Sequence, residues 1–326
     1  MIKNYLLIAW RTLVKNKVYS LVNILGLAIG ITACFFVFQY VHFEKSYDRF
    51  NTPAADIYRV PISYSGSLSN VPTTAANHRA GGPAMKKDFP EVVDYVRMVN
   101  TSLFVTAAAI SYTPKNGGAS RTFNEPNIFV TDESFFRVFS YPLLKGDRKQ
   151  CLATPGSIVI SASAARKYFG NDDPMGQTLA LNAALQLKVT GVFADVPENS
   201  HIKFDMLMSF LADGFDWMNN NWGWPEFYTY VQLVPGTDAK KLEAKFPAFI
   251  EKYLSAKMKE LNFRSYFHLQ PLTDIHLKSN YLKEAEANGS EKEIYFLSII
   301  GIFIMLIAWI NYVNLSMAKS MERARE

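Results

Sequence analysis

Two charge-free apolar runs frame the chain. Val18 to Phe43 reads VYSLVNILGLAIGITACFFVFQYVHF, with no Lys, Arg, Asp or Glu over 26 residues. At 1.5 Å per helical residue such a run reaches about 39 Å, enough to cross a hydrocarbon layer of about 30 Å with some tilt. Ile294 to Ala318, IYFLSIIGIFIMLIAWINYVNLSMA, is also free of formal charge. The 250 residues from 44 to 293 are polar and mixed. That length suffices for a hydrophobic core and for two subdomains. The pattern predicts a large water-soluble domain hung between two transmembrane helices.

Within the first run, Gly26 and Gly30 form a GxxxG, which sets two glycines on one helix face. Such a face lets another backbone approach closely. Glycine is also simply common in membrane helices, but Asn23, Ala28 and Ala33 add small or polar groups nearby, and packing against a partner helix is the favoured reading. In the second run Asn311 and Asn314 lie toward one end, where amides seek partners on other helices or the interface. Residues 2–15 set Ile2, Leu6, Ala9 and Leu13 on one side and Lys3, Arg11 and Lys15 elsewhere. They read either as an amphipathic helix lying on the membrane or as a continuation of the span.

The middle of the chain alternates strand and helix signals. Strands are expected at Ile57–Ser63 (bent or edged by Pro61), Leu103–Tyr112, Ser157–Ile160, Leu185–Phe193, Phe227–Val234 and Tyr266–Leu272. A short helix is expected at Ala84–Phe89, ended before Pro90. From Phe129 the chain begins extended. Asp132 then offers a cap for a short helix with Phe135, Phe136 and Phe139. SASAARKYFG reads as a helix capped by Ser161 or Ser163 and stopped by Gly170. From Asp238 a helical period sets in, with Pro247 expected to kink it. Irregular alternation of this kind predicts an α+β domain.

Charge then orients the spans. Lys3, Arg11, Lys15 and Lys17 precede the first, with no acidic residue; Lys45 and Arg49 follow it. Lys283 and Lys292 precede the second; Lys319, Arg323 and Arg325 follow it. The excess places both ends in the cytoplasm and the large domain outside. The first run is far longer than the apolar core of a cleaved signal peptide. Ile31-Thr32-Ala33-Cys34 has the look of a lipoprotein cleavage site, but the FFVFQYVHF that follows belongs in lipid.

Composition excludes more than it assigns. A net charge of +5 without one long basic run is no nucleic-acid signal. Two cysteines make no disulfide framework. No GxxxxGK[ST] loop is present, so the chain carries no phosphate-cradling site of that kind. Its five histidines, His42, His78, His201, His268 and His276, form no HExxH, and no Cys/His cluster has metal spacing. His201 and His276 read as structural residues. Asp172 and Asp173, followed by Pro174, read as a turn rather than a cation site. No catalytic, cofactor or metal residues are assigned.

Ordered blocks along the chain carry a resemblance. They are AWRTLVKNK, KSYDRF with IYRV, DFPEVV, VTDESFFRVFSYPLLKGD, SIVISASAARKYFG with DDPMGQTL, VTGVFADVPENSHIKFD, YTYVQLVPGTD, LTDIHLKS and LIAWINYVNLSMAKSMERARE. Together they resemble the FtsX-like permeases of ABC transporters with a MacB-type periplasmic core domain. The resemblance implies segments at 1–17 (cytoplasmic), 18–43 (span), 44–293 (periplasmic domain), 294–318 (span) and 319–326. It implies two periplasmic subdomains, one inserted in the other near 120–220. It also implies that the chain continues past 326, with Arg323, Arg325 and Glu326 opening a cytoplasmic coupling segment. The implied partners are a cytoplasmic ABC ATPase subunit, membrane lipid, a second permease half as dimer or tandem repeat, and a periplasmic or outer-membrane component. The implied place is the bacterial inner membrane, and the implied work is ATPase-driven export. A two-span sensor with a ligand-binding outer domain shares this layout; residues beyond 326 would separate the two.

Overall fold

The computed structural model describes residues 14, 17–114, 117–210, 221–223 and 225–323. The chain divides into two compact units, residues up to 46 with those from 289 onward, and residues 47–288.

The helical unit holds α1 (Lys17–Glu44) and, at the other end of the chain, α8 (Glu291–Arg323). Each is long and apolar enough to cross a membrane, over Ser20–Glu44 and Glu291–Asn314. Most of their large apolar side chains are exposed, as expected of faces meant for lipid or for other helices. Of the segment 2–15, all residues but Val14 lie outside the described residues.

The unit 47–288 is α+β, as its alternating pattern predicts. Its strands are β1 (Ile57–Arg59), β2 (Ile62–Gly66), β3 (Val92–Asn100), β4 (Ala109–Tyr112), β5 (Arg121–Asn124), β6 (Ile128–Thr131), β7 (Leu143–Lys145), β8 (Ser157–Ser161), β9 (Thr178–Leu181), β10 (Leu185–Phe193), β11 (Met206–Ser209), β12 (Tyr228–Leu233), β13 (Phe263–Phe267) and β14 (Gln270–Pro271). Twelve of them form one mixed sheet in the order β14-β1-β12-β3-β6-β11-β8-β10-β9-β4-β5, with β7 also on β10. β13 and β2 make a separate antiparallel pair. Strands β4 to β11 are contiguous in the chain and join the others through the β3–β6 seam.

Helices cover this framework where the sequence gives them ends. These are α2 (Gly81–Asp88), α3 (Phe135–Val138), α4 (Ala162–Phe169), α5 (Ala239–Glu243), α6 (Phe246–Glu260) and α7 (Ile275–Lys278). In α4 the Ser161 Oγ accepts from Ala164 N at 3.1 Å, and Gly170, at φ +63°, ends the helix where side chains rarely go. Asp238 caps α5 by accepting from Lys240 N and Lys241 N. Phe135, Phe136 and Phe139 sink into one aromatic cluster with Tyr141, Phe193 and Phe204. Burying a Phe is worth roughly 1.5–3 kcal/mol, so this four-residue helix is held by its side chains, not by its own hydrogen bonds.

Several expectations need correcting. Ile57–Ser63 is two strands, because the first ladder ends at Pro61: Val60 N still donates to Thr229 O of β12, but Pro61 has no N–H to give. Leu103–Tyr112 is extended only from Ala109; Thr101–Leu103 is a 3₁₀ turn capped by Asn100. Tyr266–Leu272 is likewise two strands and the start of a 3₁₀ turn. Asp132 does not cap α3. Its carboxylate takes the Arg97 guanidinium at 2.6 and 2.9 Å and the Arg97 N–H at 2.8 Å, bracing the β3–β6 seam. Pro247 does not kink a helix; it sits in the first turn of α6, where its missing N–H costs nothing.

One buried histidine sets a pH dependence. His78 Nδ1 donates to the Gly223 carbonyl at 2.6 Å. Burial pulls its imidazole down to about 4; the Gly223 bond opposes the shift and Lys257 adds to it. A folded value below the free value of 6.5 means that the contribution is complete above 6.5 and is lost as pH falls toward 4. The loss approaches about 3 kcal/mol. Urea midpoints between pH 7.5 and 5 are expected to fall for the native chain and to fall less for His78→Phe; parallel curves would refute the assignment.

Candidate functional site

In the helical unit, small residues decide how α1 and α8 meet. A Cβ built on Gly30 would stand 2.9 Å from Ala308 Cβ, and one on Gly301 would stand 3.0 Å from Val37 Cγ1. One on Gly26 would meet Asn311 Nδ2 at 3.5 Å. Cys34 Sγ donates to Gly301 O at 3.2 Å, a bond possible only because no side chain intervenes. The partner facing Gly26 and Gly30 is thus the chain's own second apolar helix, running antiparallel. Beside this contact lies an apolar groove of about 660 Å³, bordered by Leu27, Phe35, Phe38, Met305 and Trp309. Arg323 is the last residue of α8; Arg325 and Glu326 lie outside the described residues.

In the unit 47–288, the segment that follows the first helix in the chain is locked to the segment that precedes the last. Tyr47 stacks on His276 with ring centroids 3.4 Å apart and planes 2° from parallel. His201 Nδ1 lies 2.8 Å from Asp48 Oδ1, and its Nε2 lies 2.7 Å from the Tyr230 hydroxyl. Asp48 N donates to Asn199 O at 2.9 Å. Burial, the largest influence, holds the Tyr230 phenol well above its ordinary value, so it stays protonated. An Asp–His–Tyr sequence suggests a proton relay. All three side chains are buried, however, and this one braces the two loops it joins.

The second clasp centres on Arg59, whose side chain is 1% exposed. Its guanidinium donates to Glu284 at 2.5 and 2.8 Å, to Gln270 Oε1 at 2.7 and 3.1 Å, and to Ser279 Oγ at 2.8 Å. Ser279 in turn donates to Glu284. Burial would raise the Glu284 carboxyl, but the Arg59 bonds outweigh it and hold the group below the ordinary carboxylate range. β1 is thereby tied to the stretch 279–284. The hint in the sequence was a lone Arg inside the strand IYRV, between positions that alternate inward. Its partner, 225 residues on, had no local signal.

Among the described residues no three His, Cys, Asp or Glu side chains come together as metal ligands. The profile of the MacB-like periplasmic core domain matches residues 20–249, well over half the chain. The chain belongs to that family. As a member of the MacB-like family it pairs an α+β domain with two flanking apolar helices. Of solved structures, a permease-protein domain from Porphyromonas gingivalis is 22% identical and covers 67% of this chain and 91% of its own, with a TM-score of 0.52; it supports the fold. The periplasmic region of MacB from Actinobacillus actinomycetemcomitans is 13% identical, covering 67% of this chain and 90% of its own, at a TM-score of 0.44. The extracellular domain of the noncanonic ABC-type transporter YknZ from Gram-positive bacteria is 13% identical, covering 65% and 99%, at 0.38. Curated proteins give no match.

Proposed function

We propose that this MacB-like chain is a permease module of an ABC transporter in the bacterial inner membrane. The helices α1 and α8 span the bilayer, both flanking basic ends are cytoplasmic, and residues 47–288 face the periplasm. A cytoplasmic ATPase subunit, bound through the segment beginning at 319, moves the helices, and the moving helices drive the outer domain in export. Strands β4 to β11 are the inserted subdomain, so the insertion starts earlier than residue 120. Lipid, a second permease half and a periplasmic or outer-membrane component are its other partners. The observation that carries this reading is the family match running from residue 20, within the first apolar helix, to residue 249 of the domain. The clasps at Asp48 and Arg59 support it, because both lie on the chain segments that would receive helix motion.

Protease added to intact spheroplasts is expected to cut within 47–288 and to spare residues 1–17; the opposite pattern would reverse the topology. Replacing residues 319–326 by a Gly/Ser linker is expected to abolish co-purification of the ATPase subunit. Retention of the complex would place docking elsewhere.

A further inference from the structure

The two-stranded sheet has an open edge. Ser67 N donates to Asn262 O at 2.9 Å and His268 N to Pro61 O at 3.1 Å. With Phe263 opposite Gly66 and Phe267 opposite Ile62, these bonds aim the backbone groups of Arg264 and Tyr266 at β2. The N–H and C=O of Phe263, Ser265 and Phe267 therefore point the other way. Among the described residues β13 pairs with no strand but β2. An unpaired edge of this kind is a template for another strand.

A cleft of about 410 Å³ is bordered by α6, by β13 and by Ser65 and Gly66 of β2. Ser265 lies on it; its hydroxyl is buried and has no hydrogen-bond partner, although the residue is only 4% exposed. Glu251, Ser255 and Lys259, spaced four apart on α6, border the same cleft. Glu251 and Lys259 are exposed.

We propose that this edge pairs antiparallel with the same edge of a second copy of the chain, about a two-fold axis at Ser265. The pairing sets Phe263 opposite the partner's Phe267 and Arg264 opposite the partner's Tyr266, an aromatic pair and a cation–π pair in duplicate. Each Ser265 hydroxyl gains its twin as a neighbour. The helices obey the same axis. α6 and β13 are joined by a two-residue turn, so they run antiparallel. Six helical residues back from Leu261 cover about 9 Å, and three strand residues on from Asn262 about 10 Å, which puts Ser255 alongside Ser265. Around that axis Glu251 of each copy faces the partner's Lys259. A foreign peptide would use the backbone edge but not this symmetric placement of charges, which is why the second copy is the occupant. The inference stands on the domain's geometry and not on the transport role.

The test is made on the full chain in detergent. Opposed residues of such a pair have Cα atoms about 5.5 Å apart, within disulfide reach. Oxidation of Ser265→Cys is expected to give a covalent dimer, whereas Ser102→Cys, exposed outside the cleft, gives none. Glu251→Lys is expected to weaken the dimer about tenfold by light scattering, and adding Lys259→Glu to restore it. The exposed charge pair keeps the test decisive if Ser265→Cys does not fold. A monomeric native chain, a dimer indifferent to charge reversal, or cross-linking equal to the control would overturn the proposal. Capture of an unrelated strand without self-association would do the same.

Discussion

Gly30→Leu is expected to separate the two apolar helices. A leucine must begin with a Cβ, and at Gly30 that atom would already lie 2.9 Å from Ala308 Cβ. Neither helix can yield by rotating a side chain, because the collision is between the first carbons off two backbones. Overpacking of this sort costs about 1–3 kcal/mol, and within a bilayer no hydrophobic gain offsets it. The Cys34–Gly301 bond would go with it, since it lies on the same face. The decisive version is a size exchange. Gly30→Ala alone should lower the thermal midpoint of the chain in detergent, and Ala308→Gly added to it should recover most of the loss. An exchange that fails to recover would mean that the two positions do not face each other.

That contact marks how far the sequence could be read. Glycines four apart announced a packing face, because the period is a property of one helix. Which helix packs there is a property of two, and nothing near Gly26 names Ala308 or Gly301. The soluble domain divides in the same way. β10 was legible end to end, since Leu187, Val189 and Gly191 alternate with outward residues, and α4 was legible because its cap and its stop are local chemistry. β3 gave no such signal. Asp94 and Arg97 interrupt its apolar alternation, yet it lies deep in the sheet with Arg97 answered by Asp132, the residue just past β6. The same pairing spoiled the reading of Asp132, a sound cap in isolation that tertiary structure spent elsewhere. The clasps were the least legible part. Asp48 and His201, or Arg59 and Glu284, are ordinary surface-type residues until the fold brings each pair together and buries it.

Arg59→Met is expected to be the most destabilising single change in the domain. The guanidinium is almost wholly enclosed and answers Glu284, Gln270 and Ser279 at once. Methionine fills part of the volume but donates nothing. Glu284, itself 13% exposed, would be left with only the Ser279 hydroxyl and the Tyr281 backbone N–H to offset its desolvation. Removing one partner of a buried ion pair costs about 3–5 kcal/mol, mostly through the charge left behind. The carboxyl would then escape by taking up a proton, so the variant should be relatively less impaired in acid. The native chain should show the reverse. A folded Glu284 below its ordinary 4.5 contributes stability above that value and loses it as pH falls through the lower folded value. Replacing the carboxylate as well, as Arg59→Met with Glu284→Leu, should recover much of the loss, because an apolar pair can substitute for a buried ionic one. Hydrogen exchange separates a local clasp from a general scaffold role. In Arg59→Met the amides of 279–288 should lose protection well before those of β8 and β10. If all strands open together, Arg59 holds the whole sheet, and the outgoing segment has no clasp of its own through which helix motion could be passed.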